Sequence, residues 1–404
     1  MLFPHQVEGA AWLATRPRGY LADSPGQGKS RTLLAAVPSN HTATVLCQAI
    51  ARTHWWREAA TLGTSLVDVV SYDALVRDSS RLPAADVLIL DEAHMLRHAD
   101  AQRTRLLLGR AGLAKQYERV YLASANPTVK NPFDLWTVLS SLFPDVALRH
   151  GLRTAADFKN RFCDVGERRF KVHGRLRRVE HIGASIKNED EFNAMQREFI
   201  LRRDDPAGTP EIWWQQVVLN GDELDPDVDV ALEMRLEGGA DTAACKSARQ
   251  RVGVAKMHAV AQWLREELEG RHDKVVVFAY HRAVLNYLRD QLMPLGVCYV
   301  DGDTSDALRN VMIDWFQTNP EKRIFIGQID ACKQSITLTA ASRVVLVEPS
   351  WTADDNIQAA HRVARIGQEA SHCIAQMVSL AGSVDERIVA QHKAEAELGE
   401  KVRL

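Results

Sequence analysis

The sequence predicts an α/β protein with two parallel-sheet lobes in tandem and a charged, mainly helical segment between them. Three observations predict it. Short, β-branched apolar runs recur with helical patterns between them, one set in the first 130 residues and another from 274 to 380. Most of these runs are continuously apolar rather than alternating, as suits strands covered on both faces by helical crossovers. From about 145 to 250 such runs are few and charge is dense. A chain of 404 residues has room for two or three domains at roughly 100–200 residues each. The expected division is 1–145, 146–250 and 251–404.

In the first lobe the strand candidates are TATVLCQA, SLVDVVSY, DVLILDEAH and ERVYLASA. In the middle segment ERRFKVHGRLRRV reads as a hairpin with Gly174 at its turn. EDEFNAMQREFILRR reads as a helix, with Phe192, Met195, Phe199 and Ile200 near one face. GDELDPDVDVALEM, acidic and broken by proline, reads as a connector. The second lobe offers KVVVFAY, GVCYVDG, KRIFIGQ, SRVVLVEP and HCIAQMVSL.

Composition narrows the function. Hydrophobic residues at 46% and charged residues at 25% describe a chain that buries substantial cores. No run approaches the roughly 18 apolar residues of a membrane helix, and MLFPHQVEGAAW lacks the basic start and apolar centre of a signal peptide. The cysteines at 47, 163, 245, 298, 332 and 373 form no CxxC pair. That argues against a zinc site and for buried thiols in a reducing cytoplasm. Net charge is only −2, but residues 149–178 hold ten Lys/Arg against three Asp/Glu, and 204–241 hold eleven Asp/Glu against one Arg. Within the basic stretch Arg168, Arg169 and Lys171 are candidate polyanion contacts; two solvated faces of opposite sign are the alternative.

YLADSPGQGKSRT, at 20–32, has the parts of a phosphate cradle. Gly26 and Gly28 flank Gln27 and let backbone N–H groups turn inward, Lys29 neutralises phosphate charge, and Ser30 offers a hydroxyl to Mg²⁺. The generic pattern GxxxxGK[ST] has glycine where this chain has Asp23, so a plain glycine turn is the competing reading. VLILDEAH decides between them. It sets Asp91 and Glu92 at the C-terminal end of a strand, where nucleotides bind in parallel sheets. Asp91 is a candidate Mg²⁺ holder and Glu92 a candidate base for the attacking water.

From these motifs the chain resembles superfamily-two helicases and, within them, the Swi/Snf-type DNA-dependent ATPases. PHQVEGAAWL resembles the adenine-reading glutamine motif, with Gln6 as its reader. YLADSPGQGKS resembles motif I, which carries Asp at this position in the family. LILDEAH, LASANPTVKNPFDLW, VDGDTSDALRN and RVVLVEPSWTADDNIQAAHRVARIGQ are similar to later motifs in order. NRFCDVGERRFKV and FILRRD are similar to the linker of the HepA-related annealing-helicase branch.

The resemblance implies two RecA-like lobes that share one ATP, with Gln358 in motif VI and Arg362 and Arg365 as candidate arginine fingers. It implies His94 as a link from ATP to motif III. It also implies ATP and Mg²⁺ as cofactors, duplex or branched DNA bound without sequence preference, and replication or repair proteins as further partners. A monomer in a bacterial or viral cytoplasm, away from membranes, is expected. Two departures bear on coupling between DNA and ATP. Motif III has Ala125-Asn126-Pro127 where the family has Gly-Thr-Pro, and motif V has no glycine, leaving Lys333 as a candidate phosphate contact. The alternatives are a nucleotide-switched DNA clamp with little turnover, and a conventional strand-separating DNA or RNA helicase. Trp55-Trp56 and Trp213-Trp214 read as part core and part interface, with base stacking as the alternative.

Overall fold

Fourteen strands are present among the described residues of the computed structural model, which are 2–128, 131–172, 175–203, 208–236, 243–269, 273–332 and 336–402. The chain forms two compact units, Met1–Ala207 and Gly208–Leu404. In the first, β1 (Arg18–Leu21), β2 (Ala43–Cys47), β3 (Leu66–Ser71), β4 (Val87–Leu90) and β5 (Arg119–Ala123) lie in the order β3-β2-β4-β5-β1, all parallel. The sheet is covered on both faces, and its strands show it residue by residue. Val87 and Ile89 of β4 enter one core with Leu33, Trp55 and Tyr121. Leu88 and Leu90 enter the other, with Leu46, Leu122 and Leu139. A strand that must bury both of its faces has no place for alternating polar residues, so its sequence is apolar throughout.

The middle segment is shared out between the units. It carries helices, Ala155–Phe162, Glu189–Arg197 and Pro226–Leu236, and also strands, of which the hairpin is the expected part. The hairpin pairs β6 (Cys163–Val172) with β7 (Arg175–Ile186) antiparallel, with Val172 opposite Arg175. Its expected turn at Gly174 lies outside the described residues. Of the helix expected at 189–203, Phe192 and Met195 are buried on Glu189–Arg197, while Phe199 follows it and Ile200 opens β8 (Ile200–Leu201). β8 adds to the first sheet beside β1, with Leu21 opposite Leu201. The expected connector around 221–234 is instead largely the helix Pro226–Leu236, whose Val228 and Leu232 are buried.

In the second unit β9 (Glu211–Leu219), β10 (Val275–Ala279), β11 (Val297–Val300), β12 (Ile324–Gln328), β13 (Arg343–Leu346) and β14 (His372–Leu380) form the parallel order β11-β12-β10-β13-β14-β9. Val276 and Phe278 of β10 face one core, and Val275, Val277 and Ala279 the other. The edge strand β9 alternates: Ile212 and Trp214 are buried while Trp213 is 47% exposed and stacks on His372 at 3.8 Å. Trp55 and Trp56 divide in the same way, one buried and one 41% exposed. Among the described residues no helix is long and apolar enough to cross a membrane.

Candidate nucleotide-binding site

Three neighbouring strands of the first sheet, β4, β5 and β1, deliver the site at their C-terminal ends. β1 runs into the loop 22–28, β4 into Asp91-Glu92, and β5 into Ser124. Gly26 and Gly28 take φ of 83° and 72°, the left-handed region where a side chain is strained, and Lys29 opens the helix Lys29–Ala35 directly after. Lys29 Nζ donates to the carbonyls of Asp23 at 2.7 Å and Ser24 at 3.0 Å, which holds the ammonium over the loop. Gln27 is buried, and its carbonyl accepts from Gln6 Nε2 at 3.4 Å and lies 3.0 Å from His5 Nε2. Gln6 Oε1 accepts the Phe3 N–H at 3.0 Å. The structure thus sets the glutamine of the first motif against the loop's own backbone.

Asp91 is positioned by residues the sequence reading did not single out for it. Trp55 Nε1 donates to Asp91 Oδ2 at 3.0 Å, the Glu92 N–H to Oδ1 at 3.0 Å, and Tyr72 Oη to the Asp91 carbonyl at 2.7 Å. Burial first, then the adjacent Glu92 charge, pushes the Asp91 carboxyl up to about 7. A bound cation reverses that balance by favouring the carboxylate. Glu92 holds φ 48°, one of two non-glycine residues with positive φ among those described. Such strain persists where the surroundings over-determine it and concentrates at functional sites.

From there a short polar chain runs to motif III. His94 Nδ1 lies 3.1 Å from Glu92 Oε2 and 2.9 Å from Ser124 Oγ, and Ser124 Oγ accepts the Asn126 N–H at 3.3 Å. His94 thus stands between Glu92 and the start of motif III, with contacts running from Glu92 to Asn126. Lysine, hydroxyl and two carboxylates around a glycine-bent loop form a donor set that fits a triphosphate with Mg²⁺.

Asp23 answers the departure from the generic pattern. Its side chain is fully buried and forked by Arg203, with Nε at 3.1 Å from Oδ1 and Nη2 at 2.5 Å from Oδ2. The Arg203 backbone N–H adds a third bond at 3.2 Å. The sequence signals were the odd Asp23 and the Arg202-Arg203 doublet, but nothing in the sequence joins positions so far apart.

In the second unit Gln358 is half-buried on the helix Ala353–Ala360. Arg362 is 4% exposed; its carbonyl accepts from Leu338 N at 2.8 Å, and its guanidinium acts with that of Arg309 on the Cys332 thiol. Burial outweighs both and pushes that thiol up to about 12. Arg365 donates from Nε to the His361 carbonyl at 2.8 Å and from Nη1 to Thr337 Oγ1 at 3.1 Å. Gln368 Nε2 donates to the carbonyls of Thr339, Ala341 and Val363 at 3.2, 2.8 and 3.0 Å, folding motif VI onto the loop before β13. Lys333 lies outside the described residues. Arg168, Arg169 and Lys171 lie on β6, opposite Val179, Arg178 and Leu176, and their side chains are outside the described set.

Comparison with known proteins adds a second line of observation. Residues 255–367 match the helicase conserved C-terminal domain. The chain is 27% identical over 336 residues to the SWI/SNF-related matrix-associated actin-dependent regulator of chromatin subfamily A-like protein 1 of Xenopus tropicalis, covering 80% of this chain and 34% of that protein. It is 26% identical over 425 residues to the Caenorhabditis elegans homolog, covering 94% and 58%. To the DNA annealing helicase and endonuclease ZRANB3 of Homo sapiens it is 27% identical over 328 residues, covering 76% and 29%. The chain thus spans about a third to somewhat over half the length of these relatives. The solved Sulfolobus solfataricus SWI2/SNF2 ATPase core in complex with dsDNA aligns over all of this chain and 96% of that one, at 18% identity and a TM-score of 0.43. That superposition is loose, so the fold assignment rests on the sheet order above. The similarities bear out the resemblance drawn from the motifs, including its annealing-helicase side.

Proposed function

We propose that this protein, a relative of the Swi/Snf-type superfamily-two ATPases, hydrolyses ATP to move along double-stranded or branched DNA. The observation that carries the reading is that Lys29 and Ser30, opening the helix after the β1 loop, and Asp91 and Glu92, following β4, flank β5 at the C-terminal edge of the sheet, with the Lys29 charge felt at Asp91 and Glu92 tied through His94 to Ser124 and Asn126. In this reading Lys29 neutralises charge on the β- and γ-phosphates, and the N–H groups around Gly26 and Gly28 cradle them. Ser30 and Asp91 hold Mg²⁺. That ion, when bound, neutralises charge developing on the phosphates. Trp55 fixes the Asp91 carboxylate, and Glu92 orients and deprotonates the attacking water. Arg362 and Arg365 supply positive charge to the transferred phosphoryl group, a contribution of about 10³–10⁵ in rate. His94 passes the state of Glu92 to motif III.

DNA is gripped through its phosphates, with Lys333 and the basic residues of β6 as candidate contacts, so binding is indifferent to sequence and steeply salt-dependent. The similarity to SWI/SNF-related proteins and to an annealing helicase supports movement along duplex or branched DNA over strand separation. ATPase rates measured alone and with duplex DNA, single strands and RNA test the proposal. The largest stimulation by duplex or branched DNA is expected. Stimulation by RNA alone contradicts it, and near-zero turnover with ATP-dependent DNA affinity marks a clamp instead.

A further inference from the structure

We propose that Arg203 is a positioning residue for the nucleotide loop: through Asp23 and His5 it holds residues 23–28 in the shape that receives a polyphosphate. The inference rests on the nucleotide-site reading above and deepens it.

The loop is fastened at both ends by residues remote in sequence, and the two fastenings meet. At its start, β8 runs beside β1 with Tyr20 opposite Ile200 and Leu21 opposite Leu201. Continued by two residues, that register brings Asp23 level with Arg203. Arg203 closes on Asp23 with three bonds, two from its side-chain fork and one from its own N–H. Its remaining guanidinium nitrogen, Nη1, donates to the His5 carbonyl and lies 3.5 Å from Glu8. At the other end of the loop the Gln27 carbonyl sits 3.0 Å from His5 Nε2. His5 therefore stands between the two, taking Arg203 on its backbone and meeting Gln27 with its ring.

The helix Pro4–Ala14 is shaped to admit the guanidinium. A Cβ on Gly9 would stand 2.7 Å from Arg203 Nη2 and 2.8 Å from Thr32 Cγ2, so any side chain there displaces the arginine. A planar fork that serves a carboxylate with one edge and a carbonyl with the third nitrogen suits arginine; a lysine ammonium is a point charge and cannot hold both oxygens of the carboxylate in that fork while also reaching the His5 carbonyl. A bond merely balancing a buried charge would need Asp23 and nothing more. Here the same guanidinium ties the loop's first residue to the element that also holds its fifth.

Nucleotide affinity tests this with the full chain. Binding of the fluorescent analogue mant-ATP, and its displacement by inorganic triphosphate, which has neither base nor sugar, are measured for four proteins. These are the wild type, Arg203→Ala, Arg203→Lys and the double variant Asp23→Gly/Arg203→Ala, with Lys29→Ala as the site control. Thermal melts report folding. Wild-type binding that Lys29→Ala abolishes is expected. Arg203→Ala should raise Kd roughly tenfold to hundredfold, the scale of losing one charge-assisted hydrogen bond to the phosphates, with triphosphate displacement weakened by the same factor. Arg203→Lys keeps a charge on Asp23, so it folds, and still loses about tenfold because it forfeits the His5 tie. The double variant removes the buried charge pair, recovering the melting temperature without recovering affinity.

Wild-type affinity in Arg203→Lys, or in the double variant, overturns the inference and leaves Arg203 as a counter-ion alone. Those two proteins carry the test even where Arg203→Ala precipitates. A wild type that binds no mant-ATP in a Lys29-dependent way instead overturns the nucleotide-site reading, and this inference with it.

Discussion

The two units treat their functional charges in opposite ways. In the first, the groups that would meet phosphate follow β1 and β4 at the C-terminal edge of the sheet, on either side of β5, and distant residues brace them there: Trp55 and Tyr72 on Asp91, Arg203 on Asp23, His5 on Gln27. In the second, the contacts described for the candidate arginines are with residues of the same unit. Arg365 bonds the His361 carbonyl and Thr337, and Arg362 is buried beside Cys332. Each unit also contains a buried ion pair. Asp23–Arg203 secures a loop, whereas Lys256–Asp385 joins the helix Ala243–Leu268 to the first turn of the helix Val384–Val402, and both hold the end of β14, Lys256 Nζ donating to the Val378 carbonyl at 2.7 Å and Asp385 accepting the Leu380 N–H at 2.9 Å. A braced cradle suits binding, while arginines with alternative partners suit a contribution made only at turnover. Likewise, what a buried pair holds matters more than that it is buried.

Variants on either side can break this contrast. Arg365→Ala should lower ATP turnover by about 10³–10⁵ while mant-ATP affinity stays within a few-fold; loss of affinity on the same scale would move the arginine into the binding step. Glu92→Gln should lower turnover by about 10²–10⁴ and prolong ATP-dependent retention on DNA, read by filter binding after dilution. Normal turnover there would remove Glu92 as the base. Lys256→Ala leaves Asp385 buried without its partner and should cost about 3–5 kcal/mol of stability in urea unfolding, with the mant-ATP Kd of the surviving folded protein unchanged. A rise in Kd would erase the distinction between the two pairs. Smallest, replacing Arg168, Arg169 and Lys171 together by Ala should flatten the salt dependence of DNA binding, by up to about 0.9 in log–log slope for each phosphate no longer neutralised. An unchanged slope would return that part of β6 to a solvated face.

Much of this architecture is legible in the chain because burial on both faces writes itself as unbroken apolar runs. Each of the nine runs read as strands contains one, from β2 to β14. Asp91, Glu92 and the glycine loop are legible because their chemistry demands those residue types close together. What escaped reading lacks such a local imprint. β1 is the four residues RGYL, β8 is two residues long, and β9 mixes Trp, Gln and Glu because it lies at a sheet edge. The helix Pro226–Leu236 hides behind a proline that in fact occupies its first position, where the missing N–H costs nothing. Trp55 reads as half of an aromatic doublet, and only the fold reveals its N–H on Asp91. Arg203 meets Asp23 through the pairing of β8 with β1, a relation no spacing encodes.

The central claim of the proposed function is that Lys29 and its loop bind ATP and that DNA acts on turnover rather than on ATP affinity. The most direct measurement is the ATPase kcat of the wild-type protein with and without saturating duplex DNA, alongside the mant-ATP Kd under the same two conditions. The account predicts a large rise in kcat with Kd nearly unmoved. Equal kcat in both conditions, or stimulation that arises wholly from tighter ATP binding, would contradict it.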